Sequence, residues 1–377
     1  MSTSIISTRT RGSQGDVIQL KGAHGAAQVL PRGRVDMRDH MHAALTCVAA
    51  IAAGNNTWPG KRNLDAPAYK SFLQHCFFNS KACPNYGKIS PRVMQEGDGR
   101  PPYKSQHSED LVLLPLLLEI TQTGPCAGCR RPGTFVELGA LDGVLYSNTY
   151  GLEACFDWRG LLVEADAGNF AKLQASARVA TRAHAAVCGP GEGTVPISTT
   201  PGQPWGSGDP TAMTEGRTRH FATHLAAKTT INLVPCKPLS TLMAAAGLRD
   251  GADFLSLDVE GAELMVLQHT NVTGLQVVLV EVDGFNPAKE AAIAKLLADS
   301  GFRLAYELVL GPQRAGGISH VFVQKSTSVP KLPDGTTASV GPLQYLDPPS
   351  GPQRFVVDFC KRKWCWGCGM GECQERH

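Results

Sequence analysis

Long apolar runs are scarce in this 377-residue sequence. None approaches the roughly 18 residues that cross a bilayer as a helix, so no transmembrane helix is expected. Charge of one sign is missing as well: 36 Lys and Arg stand against 33 Asp and Glu, interspersed, and aromatics make up only 7%. A nucleic-acid partner needs a basic face, so none is expected, and the partner is read as small or neutral. The first clear strand is not followed by the dinucleotide fingerprint G-x-G-x-x-G, which disfavours a nicotinamide dehydrogenase. Cys126-x2-Cys129 lacks a second such pair nearby, so a loop disulfide or two free thiols are read there rather than zinc.

Cysteine, by contrast, is plentiful, with twelve in the chain. Cys47, Cys76, Cys83, Cys126 and Cys129 precede the expected core, and Cys360, Cys365, Cys368 and Cys373 follow it. That distribution predicts disulfide stapling of peripheral segments in an oxidising compartment: the secretory pathway or the exterior, with the cytoplasm as the alternative. In the tail two disulfides are expected, with zinc the minority reading, because the spacing between the outer pairs is too short for a usual finger. Residues 43–53, AALTCVAAIAA, have the length of a signal-peptide core, and Ala50-Ile51-Ala52 has the shape of a cleavage site. That reading requires initiation at Met37 or Met41 or an uncleaved leader. A buried alanine-rich helix is the equal alternative.

The order of segments follows from composition. Residues 1–54 read as a disordered leader or targeting segment, 55–102 as a loop-rich, cysteine-containing lead-in, and 103–325 as the catalytic-type domain. Residues 326–359 read as a Pro/Ser/Thr/Gly-rich linker and 360–377 as a cysteine-rich tail. Within the domain, 189–230 interrupts the pattern with Gly, Pro, Thr and Trp205. It reads as a lid suited to a sugar or other polyol, or as a surface insertion.

The chain is organised around 134–143, TFVELGALDG. Phe135, Val136 and Leu138 predict a buried parallel strand, and Gly139 and Gly143 a tight turn with close backbone approach. Glu137 and Asp142 would repel a pyrophosphate but suit a ligand bearing an ammonium and a sulfonium, which is S-adenosylmethionine. An ordinary strand-to-helix turn is the bland alternative. A helix is expected over 147–156 and a strand over 159–164, RGLLVE, ending in Glu164, where nucleotide-binding α/β sheets hold ribose hydroxyls. Further strands are expected at 179–187, 232–237, 254–258 and 276–281, with helices at 166–177, 240–248, 260–268 and 287–300. Strands 302–309 and 318–324 are joined by a loop too short for a crossover, so the last strand must be antiparallel. This predicts an α/β, Rossmann-like methyltransferase fold with a mostly parallel seven-stranded sheet and an antiparallel last strand.

Residues 253–268, DFLSLDVEGAELMVLQ, put Asp258 at a strand's carboxyl end, with Glu260 and Glu263 in the next helix's first turn. Glu281 and Asp283 end the following strand. Such carboxylates cap helices, bind a divalent cation, or act as general base toward a hydroxyl. Function is favoured for Asp258 and Glu260, and capping for Glu263.

Together, TFVELGALDGVLYSNTYGLE, WRGLLVEAD, VPCKPLSTLM, DFLSLDVEGAELMVLQ and VVLVEVDG resemble the FkbM-family methyltransferases over about 103–325, including the lead-in Ser105, Gln106 and Asp110. The resemblance implies S-adenosylmethionine as cofactor and O-methylation of a hydroxyl on a glycan or other hydroxylated small molecule. By position it implies cofactor contacts from Glu137, Gly139, Gly143, Asn148 and Glu164, and catalytic roles for Asp258 and Glu260. Where the family often shows an Asp before the last strand, this chain has Ser319-His320, making His320 a candidate proton acceptor. A divalent metal bridging the carboxylates is left open, as is the oligomeric state. The alternative from another class is a non-catalytic binding or trafficking module of the secretory pathway.

Overall fold

A computed structural model describes residues 104–107, 109–121, 131–191, 193–199, 206–207, 230–282, 286–310 and 317–329, the strands 343–346 and 353–357, and four two-residue strands between 9 and 28. The chain divides into residues 1–41 and 42–377. In the first unit Arg9–Thr10 pairs with Val17–Ile18, and Leu20–Lys21 with Ala27–Gln28, both antiparallel. The expectations for most of 1–54, for 55–102 and for the cysteine-rich tail fall outside the described residues.

The second unit opens with α1 (Glu109–Ile120), followed by β1 (Thr134–Leu138), α2 (Tyr150–Phe156), β2 (Arg159–Glu164), α3 (Ala167–Ala175) and β3 (Thr181–His184). Next come β4 (Ala186–Val187), β5 (Gly193–Thr199), β6 (Gly206–Ser207), β7 (Thr230–Lys237) and α4 (Leu239–Ala245). The unit continues with β8 (Ala252–Leu257), α5 (Glu263–Gln268), β9 (Leu275–Glu281), α6 (Pro287–Asp299), β10 (Phe302–Leu310) and β11 (Gly317–Gln324). It ends on β12 (Leu343–Leu346) and β13 (Gln353–Val357).

The main sheet has the order β12-β13-β10-β11-β9-β8-β1-β2-β3. From β3 through β9 neighbours are parallel, and β11 is antiparallel to both β9 and β10. This is the expected seven-stranded arrangement with its reversed last strand. Two more strands lie beyond it, because residues within the stretch read as linker pair with β10 and with each other.

Helices cover both faces. Leu113, Leu117, Leu152 and Leu173 pack from α1, α2 and α3 against one face, with Phe135, Phe254 and Val277. Leu242, Val266 and Leu297 pack from α4, α5 and α6 against the other, with Val136, Leu255 and Val278. Helix α1 is apolar on every side, and Val112, Leu113, Leu114, Leu116, Leu117 and Leu118 are all buried, each contributing about 1.5–3 kcal/mol. It runs unbroken through Pro115, where a kink or split was expected. At the amino ends of the central strands the buried carboxylate of Asp253 accepts from Arg131, Thr134 and Gln276, tying β1, β8 and β9 together.

The insertion is partly built as a smaller sheet, β6-β5-β7-β4. The expected single strand at 179–187 is thus divided between two sheets, β3 joining the large one and β4 the small one. A disulfide joins Cys188 to Cys236, with Cα atoms 5.7 Å apart. The peripheral cysteines expected to pair lie outside the described residues, and this bridge belongs to the domain itself.

Candidate active site

Side chains alternate across a sheet with period two, and register carries that parity from strand to strand. Ser256 pairs with Glu137 and with Leu279, and Glu281 pairs with Ser319. Glu137, Ser256, Asp258, Glu281 and Ser319 therefore share one face at the carboxyl ends of the parallel strands, the face covered by α1 and α2. A cleft open to solvent lies there, lined by Gln106, His107, Glu109, Tyr146, Asn148, Asp258, Glu281 and Ser319.

The turn after β1 is held by its glycines. Gly139 has φ +80°, and a Cβ there would collide with the carbonyl oxygen of Asp258, so β1 and β8 close on each other only without a side chain. Gly143 has φ +81° and abuts Leu173 and Arg178. Leu141, Tyr146 and Glu260 adopt left-handed φ of 49°, 59° and 57°. Non-glycine residues hold that conformation at some cost, and such strain gathers at functional sites.

The predicted residues separate into two groups. Asn148 and Asp258 line the cleft. Glu137 does not: its carboxylate accepts from Ser147 Oγ at 2.8 Å, Asn148 N at 2.6 Å and Thr149 Oγ1 at 2.6 Å, so it positions the loop after the turn. Glu260 precedes α5 instead of sitting in its first turn, because the left-handed residues Glu260 and Gly261 delay the helix to Glu263. His320 falls on the opposite face from Ser319, edge-on to Phe322 among the residues that pack against α6. Strand alternation thus takes its ring away from the cleft. Asp283 lies outside the described residues.

Glu164 is buried and accepts from Leu141 N and Asp166 N, both at 2.7 Å, bridging the turn after β1 to the start of α3. Burial pushes its pKa up to about 7, opposed by those N–H bonds, because a carboxylate loses hydration there. Asn148 donates Nδ2 to Ser256 Oγ at 2.9 Å, while its buried Oδ1 has no partner among the described residues. An unpaired buried acceptor beside a cleft is a place for a ligand's donor.

Oxygen atoms of Asp258, Glu263 and Glu281 lie within 4.8 Å of one another. Glu263 has 0% exposure, pairs with Lys289 Nζ at 2.9 Å and accepts from Gly261 N at 2.9 Å. With its charge already balanced and its lone pairs engaged, it braces the loop, and the trio is a poor fit to a divalent cation needing several free oxygens.

Three contributors escaped sequence reasoning. The guanidinium of Arg178 has 0% exposure and donates to Gly143 O at 2.6 Å, Ser147 Oγ at 3.1 Å, Thr149 Oγ1 at 2.9 Å and Glu153 Oε2 at 3.1 Å, holding the glycine turn from beneath. His107 and Glu109 reach the cleft from the lead-in before β1. Ser105 and Asp110 pin that segment: Ser105 Oγ donates to Asp110 Oδ1 at 2.6 Å, and Lys104 N to Oδ2 at 2.8 Å. The only sequence signal for these residues was the Ser105-Gln106-Asp110 pattern.

Residues 137–304 match the Methyltransferase FkbM domain. Among solved structures, the chain is similar to a methyltransferase FkbM from Methylobacillus flagellatus KT, at 15% identity over 78% of this chain and 63% of that one, TM-score 0.32. It is also similar to an Aeropyrum pernix fibrillarin with natively bound S-adenosyl-L-methionine, at 12% identity over 85% of this chain and 100% of that one, TM-score 0.28. A third is the mitomycin 7-O-methyltransferase MmcR, at 13% identity over 76% and 68%, TM-score 0.23. No curated protein matches the sequence. At these TM-scores the structural likenesses carry no argument, and the similarity rests on the domain match. Over residues 137–304, within the strand order described above, the chain is similar to the Methyltransferase FkbM domain.

Proposed function

We propose that this protein is an S-adenosylmethionine-dependent O-methyltransferase that acts on a hydroxyl of a glycan or other hydroxylated small molecule. The observation that carries the reading is the junction of two features: a turn kept free of side chain at Gly139, and a cleft beginning at the same Asp258 and lined by groups that bond hydroxyls. The cofactor fits the residues present, since the glycine turn places main chain at the carboxyl end of β1 and Glu164 places a carboxylate at the end of β2. Gly139, the turn through Gly143 and Glu164 would hold it, and when bound it supplies a methyl group activated by a sulfonium.

The protein's own work is then alignment and exclusion of water. Asn148, fixed by Glu137 and Ser256, presents Oδ1 to an acceptor hydroxyl, and Asp258 lies where the turn and the cleft meet. The acceptor class is read from the cleft's carboxylate, amide and hydroxyl lining, which suits several neighbouring hydroxyls better than an apolar ring.

Calorimetric titration of the full-length chain with S-adenosylmethionine tests the reading. Saturable binding is expected, weakened in Glu164→Ala. A folded wild-type chain that takes up no S-adenosylmethionine would overturn it in favour of a non-catalytic module.

A further inference from the structure

We propose that His107 is the proton acceptor for the hydroxyl that is methylated. The inference rests on the methyltransferase reading and assigns the proton-accepting step, for which the sequence offered Asp258, Glu260 and His320. His320 is carried to the other face of the sheet, and Glu263 is committed to Lys289. His107 is 9% exposed and lines the same cleft as Asn148, Asp258, Glu281 and Ser319.

Its position is built rather than incidental. The main-chain N–H of His107 donates to Glu109 Oε2 at 2.7 Å, and Glu109 Oε1 accepts from Ser319 Oγ at 3.4 Å. Two residues earlier, Ser105 bridges to Tyr146 and bonds to the buried carboxylate of Asp110. The segment bearing His107 is thereby tied to α1, to β11 and to the loop that carries Asn148.

The chemistry suits an imidazole there. As the bond forms between the acceptor oxygen and the methyl carbon, the sulfur–carbon electron pair returns to the donor sulfur. The hydroxyl proton passes to a ring nitrogen of His107 and from there to solvent. Among the described residues, the charged groups facing the cleft are Glu109 from α1, Asp258 just after β8 and Glu281 from β9, with the phenol of Tyr146 from the loop before α2. The three carboxylates favour the imidazolium that forms, and a base of this kind contributes about 10²–10⁴-fold to rate.

The test uses the full-length chain labelled with ¹³C at histidine, the His107 signal being identified by its absence in His107→Gln. The expected result is an imidazole that titrates between about pH 5 and 9, with a midpoint that falls in Asp258→Asn or Glu281→Gln. A His107 that does not titrate, or whose midpoint neither substitution moves, overturns the proposal. With methyl glycopyranosides as probe acceptors, His107→Gln should lower kcat by about 100-fold or more while S-adenosylmethionine affinity stays within twofold, and added imidazole should restore part of the rate. Retained kcat in a folded His107→Gln overturns it as well. If the probes are not methylated, the titration still decides. Absence of S-adenosylmethionine binding in calorimetry removes the underlying reading and this proposal with it, whereas binding with a non-titrating His107 removes this proposal alone.

Discussion

Replacing Glu164 with glutamine should flatten the pH dependence of stability. The buried carboxyl has its pKa raised to about 7 from 4.5, so between those values the folded protein keeps a proton that the unfolded chain has released. Stability through this group is therefore greatest below about pH 4.5, falls as pH rises toward 7 and stays lower above it. A shift of that size corresponds to about 3 kcal/mol. Asp110, raised to about 6 by burial, adds a slope of the same sign, and comparing Glu164→Gln with wild type cancels it. Glutamine keeps the shape but cannot accept equally from Leu141 N and Asp166 N. The variant should therefore start less stable at pH 5, by about 1 kcal/mol for one lost bond, and lose less on going to pH 8. Urea unfolding at both pH values gives the four numbers required. Equal pH slopes in the two proteins would refute the claim that Glu164 is held protonated by burial. Because ligand hydroxyls would stabilise the carboxylate, S-adenosylmethionine binding to wild type should also strengthen through pH 7, a trend absent in the variant.

Gly139→Ala should lower the melting temperature and abolish S-adenosylmethionine binding in calorimetry, because the left-handed φ alone costs about 1–2 kcal/mol and the methyl collides with the Asp258 carbonyl. Lys289→Met should destabilise by about 3–5 kcal/mol in urea titration by leaving Glu263 buried without its cation, and adding Glu263→Gln should recover much of that loss. Reduction of the Cys188–Cys236 bridge, which spans 48 residues, should lower the unfolding free energy by up to about 4 kcal/mol, with both thiols becoming alkylatable only after reduction.

The sequence by itself determined the alternation of strands and helices, the reversed last strand and the glycine turn, since each rests on periodicities and φ preferences within a few residues. It also located the stretches from which the acids come. Only the tertiary structure decided what each acid does, because that depends on partners far away in sequence. Glu137 is consumed by Ser147, Asn148 and Thr149 once the loop folds back over the strand end. Glu263 is neutralised by a lysine 26 residues on, from the neighbouring helix. His320 and Ser319 are adjacent in the chain, yet the pleat sends them to opposite faces, and the register Glu281↔Ser319 brings the serine to the cleft. Arg178 carries no local motif and becomes legible only when α3 and β3 bring it under the turn of Gly143. His107 reaches the cleft because the lead-in is fastened to Tyr146 and α1, a placement that follows from packing between elements and that the Ser105-Gln106-Asp110 pattern does not specify.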